Sequence, residues 1–202
     1  MHSAVNLHPA VRERLDRLAP DQRAAATAPP GPVLCVAPAG SGKTTTLVAR
    51  IAWLVATGVS AEAVTAVTFN KRAADELAER LAAALEPLSV ATDAVPRVRT
   101  FHALGREILR DAGVSVAHLV DRATVLRSLN GGRPLGGAAL RRLDDGFSRM
   151  KLDEGLDISS AQARISTADP ESLDVLQRFI AYERWLADND ALDFDDLVRR
   201  AL

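Results

Sequence analysis

The stretch VLCVAPAGSGKTTTLVARI, opening at Val33, constrains the fold of this chain more than any other. A short apolar run ends in a glycine-containing turn and passes straight into a helix. The turn fits the pattern of a small residue, four residues, then Gly-Lys-Thr, with Ala37 standing where glycine is usual and Gly42, Lys43 and Thr44 closing it. Gly40 and Gly42 let the backbone wrap so that successive N–H groups converge on phosphate oxygens. The helix that follows presents its positive N-terminal end to the same anion. In such a loop the lysine, here Lys43, reaches the β and γ phosphates, and the hydroxyl of Thr44 ligates magnesium. The candidate nucleotide set is therefore Ala39, Gly40, Ser41, Gly42, Lys43, Thr44 and Thr45, with Lys43 and Thr44 as the catalytic candidates and Thr44 as the metal ligand. For Thr45 and Thr46, packing or helix capping is the plainer role. The implied cofactors are ATP and Mg2+.

The loop dictates what surrounds it. VLCV reads as a buried strand, being short, apolar and bounded by turn residues, and Cys35 within it reads as a small core residue. The helix from Lys43 closes near Gly58. The unit then repeats: AVTAVTF is a strand and NKRAADELAERLAAAL an amphipathic helix with Ala74, Leu77, Leu81 and Leu85 on one stripe. RVRTF is a third strand and HALGREILRDAG a third helix. Strand–helix alternation predicts a parallel sheet with right-handed crossovers. Upstream, Val11, Leu15 and Leu18 fall at helical spacing and APDQRAAAT forms a second short helix. Beyond about residue 114 the strands stop. Helical segments are expected near 118–129, 138–152, 159–166 and 170–188, separated by the loop NGGRPLGG, and a last helix in ALDFDDLVRRAL.

Composition sets bounds. The 202 residues carry 25 basic and 26 acidic side chains, a net charge of −1, which argues against a polybasic tail but not against a local phosphate-binding patch. Only Lys43, Lys71 and Lys151 are lysines; the excess of arginine reads as a GC-rich genome. Hydrophobic residues make up 48% and aromatics 4%, so Leu, Val, Ile and Ala fill the core. A single cysteine allows no disulfide within the chain, which fits a reducing compartment. The N-terminus has no apolar leader segment and no apolar run approaches membrane-spanning length. The expectation is a cytoplasmic, bacterial, nucleoid-associated protein with no membrane contact.

Three further stretches narrow the class. LAPDQRAAA precedes the loop, while VTFNKRAADELAERL and VRTFHALGREIL follow on the second and third strands. With the loop, these resemble the superfamily 1A DNA helicases of the UvrD/Rep/PcrA type. The resemblance is strong over residues 15–110, weak over 112–188, and returns at LDFDDL. It implies that Gln22 reads adenine, since a side-chain amide pairs with both N6 and N7 of that base. It implies that Thr68, Phe69, Asn70 and Lys71 contact single-stranded DNA, although the family usually reads Thr-Phe-Thr-Asn-Lys where this chain has Thr-Phe-Asn-Lys-Arg. Asn70 is also a helix-cap candidate. Thr100 and His102 would touch the strand's backbone or a base, with Phe101 packing or stacking beside them.

The resemblance also implies an architecture: an α/β fold, a partial RecA-like P-loop NTPase domain with a parallel sheet plus an inserted all-helical subdomain of the kind called 1B. The expected divisions are 1–112 for the RecA-like ATP-binding portion, 113–189 for the helical subdomain, and 190–202 for the return. LDFDDL is not the family's magnesium-binding acid pair. Its acids alternate with apolar residues and suit a helix start, with Asp193 as cap. In relatives an apolar strand ending in Asp-Glu comes afterwards, and the chain stops at Leu202 before any such strand. The expectation is an N-terminal fragment of an ATP-dependent 3′–5′ helicase, deficient in hydrolysis alone. Its partners would be single-stranded DNA or a single-strand/duplex junction and the missing C-terminal RecA-like half. A RecB/AddA-like helicase–nuclease fragment, or a nucleotide-dependent binding module that never hydrolyses, are the alternatives.

Overall fold

The computed structural model describes residues 7–90, 95–131 and 133–202. The first six residues, read above for a leader, and Gly132 of the NGGRPLGG loop lie outside them. The chain divides into two compact units, one ending at Thr100 and one running from Phe101 to Leu202.

In the first unit, α1 (Pro9–Asp16) and α2 (Pro20–Ala26) both begin on proline, whose fixed φ suits the first helical turn. Both pack on α3 (Lys43–Ala56). Strand β1 (Thr65–Thr68), helix α4 (Lys71–Leu85) and strand β2 (Arg97–Thr100) complete the unit. The two strands pair in parallel, Ala66 opposite Val98 and Thr68 opposite Thr100, with α4 as the crossover that parallel pairing requires. The stripe on α4 is buried as its spacing predicts: Ala74, Leu77, Leu81 and Leu85 face inward. With Val48, Ala49, Ile51 and Ala52 of α3, and with Val11, Leu15 and Ala26, its leucines form one core.

The segment 33–36 departs from the expected buried strand. It pairs with nothing in the described sheet, which is two-stranded. Leu34 and Val36 are each 88% exposed, and Cys35 is exposed rather than in the core. A run this short takes on strand geometry only where neighbouring strands satisfy its N–H and C=O groups. Pro32 and Pro38 on its flanks supply no N–H, and among the described residues β1 is laddered only to β2. Local hydrophobicity marks a segment suited to burial but does not provide the partner.

The second unit is helical: α5 (Phe101–Asp111), α6 (Arg122–Leu129), α7 (Gly137–Ser148) continued by a π-helical turn (Arg149–Asp153), α8 (Ile158–Arg164), α9 (Pro170–Asp188) and α10 (Phe194–Arg199). Its main core gathers Val125, Leu126, Leu143, Phe147, Phe179, Ile180, Tyr182 and Leu186, with Phe147 edge-on to Phe179 at 5.3 Å between centroids. A smaller cluster of Leu109, Leu192 and Leu197 joins α5 to α10. There α5 comes unusually close, because a side-chain carbon on Gly105 would lie 2.0 Å from the carbonyl oxygen of Leu197. Leu119 and Leu192 form an isolated parallel bridge. No helix among the described residues is long and apolar enough to cross a membrane.

Candidate nucleotide and nucleic-acid sites

The glycine turn has the backbone its composition calls for. Gly40 (φ +77°) and Gly42 (φ +81°) are both left-handed, a region closed to most L-residues, and Gly42 is the residue from which α3 starts. The first N–H groups of α3 have no carbonyl partner within the helix. Lys43 folds back over it, its Nζ donating to the carbonyls of Ala37 at 2.9 Å and Pro38 at 2.6 Å. Ser41 Oγ donates to the same Pro38 carbonyl at 2.8 Å. An ammonium group thus stands over a glycine turn at the start of a helix, an arrangement suited to a polyphosphate. Ala39, Gly40, Lys43, Thr44 and Thr45 are exposed; Thr46 is buried, with its hydroxyl donating to Gly42 O at 3.1 Å.

Gln22, about twenty residues upstream in sequence, lies against this turn. Its Nε2 donates to Ser41 O at 2.8 Å, and its Oε1 accepts from Ala19 N at 3.1 Å at the head of α2. An added carbon at Gly42 would come within 2.8 Å of Gln22 Nε2, so a larger residue there would displace the Gln22 amide. Arg50 of α3 is a residue that sequence reasoning missed. Its guanidinium donates to the carbonyls of Ala26, Ala28 and Pro29, tying the proline-rich turn between α2 and the loop to α3, and lies 5.2 Å from the centre of the Trp53 ring. Nothing in its local sequence separates it from an ordinary helix-face arginine.

At the carboxyl ends of the paired strands, Thr68 and Thr100 stand side by side in register. Thr68 Oγ1 donates to Asn70 O at 3.0 Å. Asn70 caps α4, its Oδ1 accepting from Ala73 N at 2.9 Å, the cap expected for that residue type. Phe69 is 87% exposed and Lys71 is exposed beside it, so the core alternative for Phe69 is not what the fold adopts. Phe101 and His102 open α5 in the second unit. Phe101 is 43% exposed, and the His102 ring meets the edge of Phe194 at 6.0 Å with the planes 74° apart.

The second unit also holds a buried ion cluster that sequence reasoning missed except for one cap. Asp193 caps α10 as its spacing predicts. Its Oδ2 additionally accepts from Arg122 at 2.8 Å, Lys151 at 2.9 Å and the Tyr182 hydroxyl at 2.8 Å. Lys151 is wholly buried and also lies 2.7 Å from Glu183 Oε1 and 3.1 Å from Asp196 Oδ1. Burial works against ionisation of Asp193, but the charges of Lys151 and Arg122 outweigh it and hold its carboxyl well below the usual carboxylate range. Burial pushes the Glu183 carboxyl up, with Lys151 pulling the other way. The Tyr182 phenol is pushed up by burial and by the neighbouring Asp193 charge. No group of three or more His, Cys, Asp or Glu among the described residues could hold a metal ion.

Comparison with known proteins places this geometry. The model of the UvrD/REP helicase N-terminal domain matches residues 18–202. The chain is 35% identical over 197 residues to the ATP-dependent DNA helicase UvrD1 of Mycobacterium leprae, covering 91% of this chain and 25% of that protein. It is 34% identical over 203 residues to UvrD1 of Mycobacterium tuberculosis, with the same coverage. Identity to the ATP-dependent DNA helicase PcrA of Staphylococcus aureus is 30% over 195 residues, 91% of this chain and 26% of the other. The chain thus spans about a quarter of the length of these relatives.

Proposed function

Because the chain belongs to the UvrD/REP helicase N-terminal domain family, we propose that it is the ATP-binding and single-strand-contacting part of an ATP-dependent DNA helicase or translocase, moving 3′ to 5′. The observation that carries the reading is the placement of Gln22 on the glycine turn, 2.8 Å from Ser41 O, beside a lysine poised over the same turn. An adenine reader and a phosphate grip are thereby held together by one short set of contacts. The residues that would hold the nucleotide are Gln22, Ala39, Gly40, Ser41, Gly42, Lys43, Thr44 and Thr45, with the Thr44 hydroxyl toward Mg2+. The nucleotide would supply the phosphoanhydride whose cleavage drives movement. The chain's own part is to orient it: backbone amides and Lys43 neutralise phosphate charge, and Gln22 distinguishes the base.

Thr68, Phe69, Asn70, Lys71 and Thr100 of the first unit and Phe101 and His102 of the second are the proposed strand contacts. Exposed aromatic rings serve such a role because every base has a face to stack on, and stacking contributes about 1–3 kcal/mol per base with little sequence preference. The helical residues 113–189 are read as the 1B-like insertion, 1–112 as the RecA-like portion and 190–202 as the return to it. Phosphoryl transfer also requires an acid to place magnesium and water and an arginine for the transition state. Those functions are assigned to the other RecA-like half and to the Asp-Glu strand of a longer parent, so hydrolysis by the 202 residues alone is expected to be very slow. Binding of a fluorescent ATP analogue and of a fluorescein-labelled oligo(dT) tests the reading. Lys43→Ala should abolish nucleotide binding and spare strand binding, and His102→Ala should weaken strand binding and spare the nucleotide. Strand affinity should fall steeply with salt as phosphate contacts release counterions. Turnover at the rate of an intact helicase, abolished by Lys43→Ala, would overturn the assignment of the missing acid.

A further inference from the structure

The LDFDDL segment has no task in nucleotide or strand binding as described so far, yet the second unit commits its most heavily buried charges to it. Asp193 and Asp196 cap α10 reciprocally: Asp193 Oδ1 accepts from Asp196 N at 2.9 Å, and Asp196 Oδ2 from Asp193 N at 3.2 Å. The remaining oxygen of Asp193 is gripped from three other elements: Arg122 of α6, Lys151 of the π-helical turn, and Tyr182 of α9. Arg122 also donates to Asp144 and to Ser148 of α7, both at 2.9 Å, and pairs with Asp195. Lys151 ties in Glu183 and Asp196. A buried ion cluster is a poor way to gain stability, since apolar replacements of equal volume often do as well. What it fixes is direction. Several donors converging on one carboxylate permit a single placement of the chain that carries it.

That placement is passed on to α5. The helix α10 meets α5 at Gly105, where the Leu197 carbonyl leaves no space for a side chain, and Leu192 and Leu197 close on Leu109. At the head of the same pair of helices, Phe194, next to Asp193 in the chain, lies edge-on to His102. We propose that Lys151, Arg122 and Tyr182 are positioning residues for DNA-strand binding: by fixing Asp193 they set the head of α10, and α10 sets the start of α5 and the orientation of His102. The proposal rests on the reading of His102 as a strand contact. Residues of the helical unit that never meet the strand would then tune its affinity.

The test uses the 202-residue chain and reads three quantities: affinity for fluorescein-labelled oligo(dT), affinity for a fluorescent ATP analogue, and the His102 imidazole proton resonance, assigned by its loss in His102→Ala. The variants are His102→Ala, Lys151→Met, Tyr182→Phe and, as a control that loosens the same core away from Asp193, Leu176→Ala. Tyr182→Phe keeps the ring and removes only the hydroxyl, so it decides the matter if Lys151→Met does not fold. Expected are strand binding weakened roughly tenfold in His102→Ala and Lys151→Met, the scale of one lost base contact. A smaller weakening follows in Tyr182→Phe, with unchanged nucleotide affinity throughout and a shifted His102 resonance in both cluster variants but not in Leu176→Ala. If His102→Ala weakens the strand while both cluster variants bind as Leu176→Ala does and leave the resonance in place, the positioning role is wrong. If His102→Ala binds as the wild type does, the strand-contact reading fails, and the proposal with it.

Discussion

Replacing Asp193 with asparagine is the sharpest test of the buried cluster's energetics. Asparagine has the same shape and caps a helix as well as aspartate does, so the head of α10 keeps its cap. What disappears is the negative charge on which the Arg122 guanidinium, the Lys151 ammonium and the Tyr182 hydroxyl converge. Removing one member of a buried ion pair costs about 3–5 kcal/mol, because the other is left without compensation. Here Lys151 retains Glu183 and Asp196, and Arg122 retains Asp144 and Asp195, so the lower end applies, about 3 kcal/mol. For a chain of this size each kcal/mol moves the midpoint by about 2–4 °C, giving a loss of about 6–12 °C at neutral pH. Thermal melts followed by circular dichroism measure it. The pH dependence has a definite sign. The folded-state pKa of Asp193 is lowered, so its stabilisation is complete above the unfolded-state value of about 3.9 and is lost as pH falls through the folded value. The gap between wild type and Asp193→Asn should therefore narrow in acid. Melting within about 1 °C of wild type at neutral pH, against an expected 2–4 °C per kcal/mol, would refute the argument.

Two shorter predictions follow. Glu183, whose pKa burial raises, contributes stability that is present at low pH and lost as pH rises through its folded value. The fall in melting midpoint with rising pH should therefore be shallower in Glu183→Gln than in the wild type, and an identical pH profile would contradict it. Cys35 should react with a thiol reagent in the native chain about as fast as in urea, because the segment around it is exposed; protection in the native state would show that 33–36 is buried after all.

The features legible in the sequence were those encoded within a few residues of themselves. The α4 stripe, the caps at Asn70 and Asp193, the two paired strands, expected to run one residue further to Phe69 and Phe101, and the left-handed glycines at 40 and 42 each follow from local spacing or stereochemistry. Segment 33–36 carries an equally clear local signal and fails as a strand, because pairing is a property of neighbours and not of the run itself. The ion cluster was hidden for the same reason. Lys151 lies 42 residues from Asp193 in the chain and Arg122 lies 71 away, and nothing local distinguishes a buried lysine from a solvated one. Gln22 was singled out only through resemblance; in the fold its amide lies against the glycine turn.

Base selectivity at Gln22 tests the central claim most directly. The amide bonds Ser41 O and Ala19 N, and on the proposed reading both bonds would be exchanged for the edge of adenine. A bidentate amide–adenine pair is worth about 1–3 kcal/mol of discrimination. Competition of ATP and GTP against a fluorescent nucleotide should show the wild-type chain preferring ATP by about tenfold or more, and Gln22→Ala binding both alike. Equal affinity for the two nucleotides in the wild type, or a preference that survives Gln22→Ala, would contradict the account.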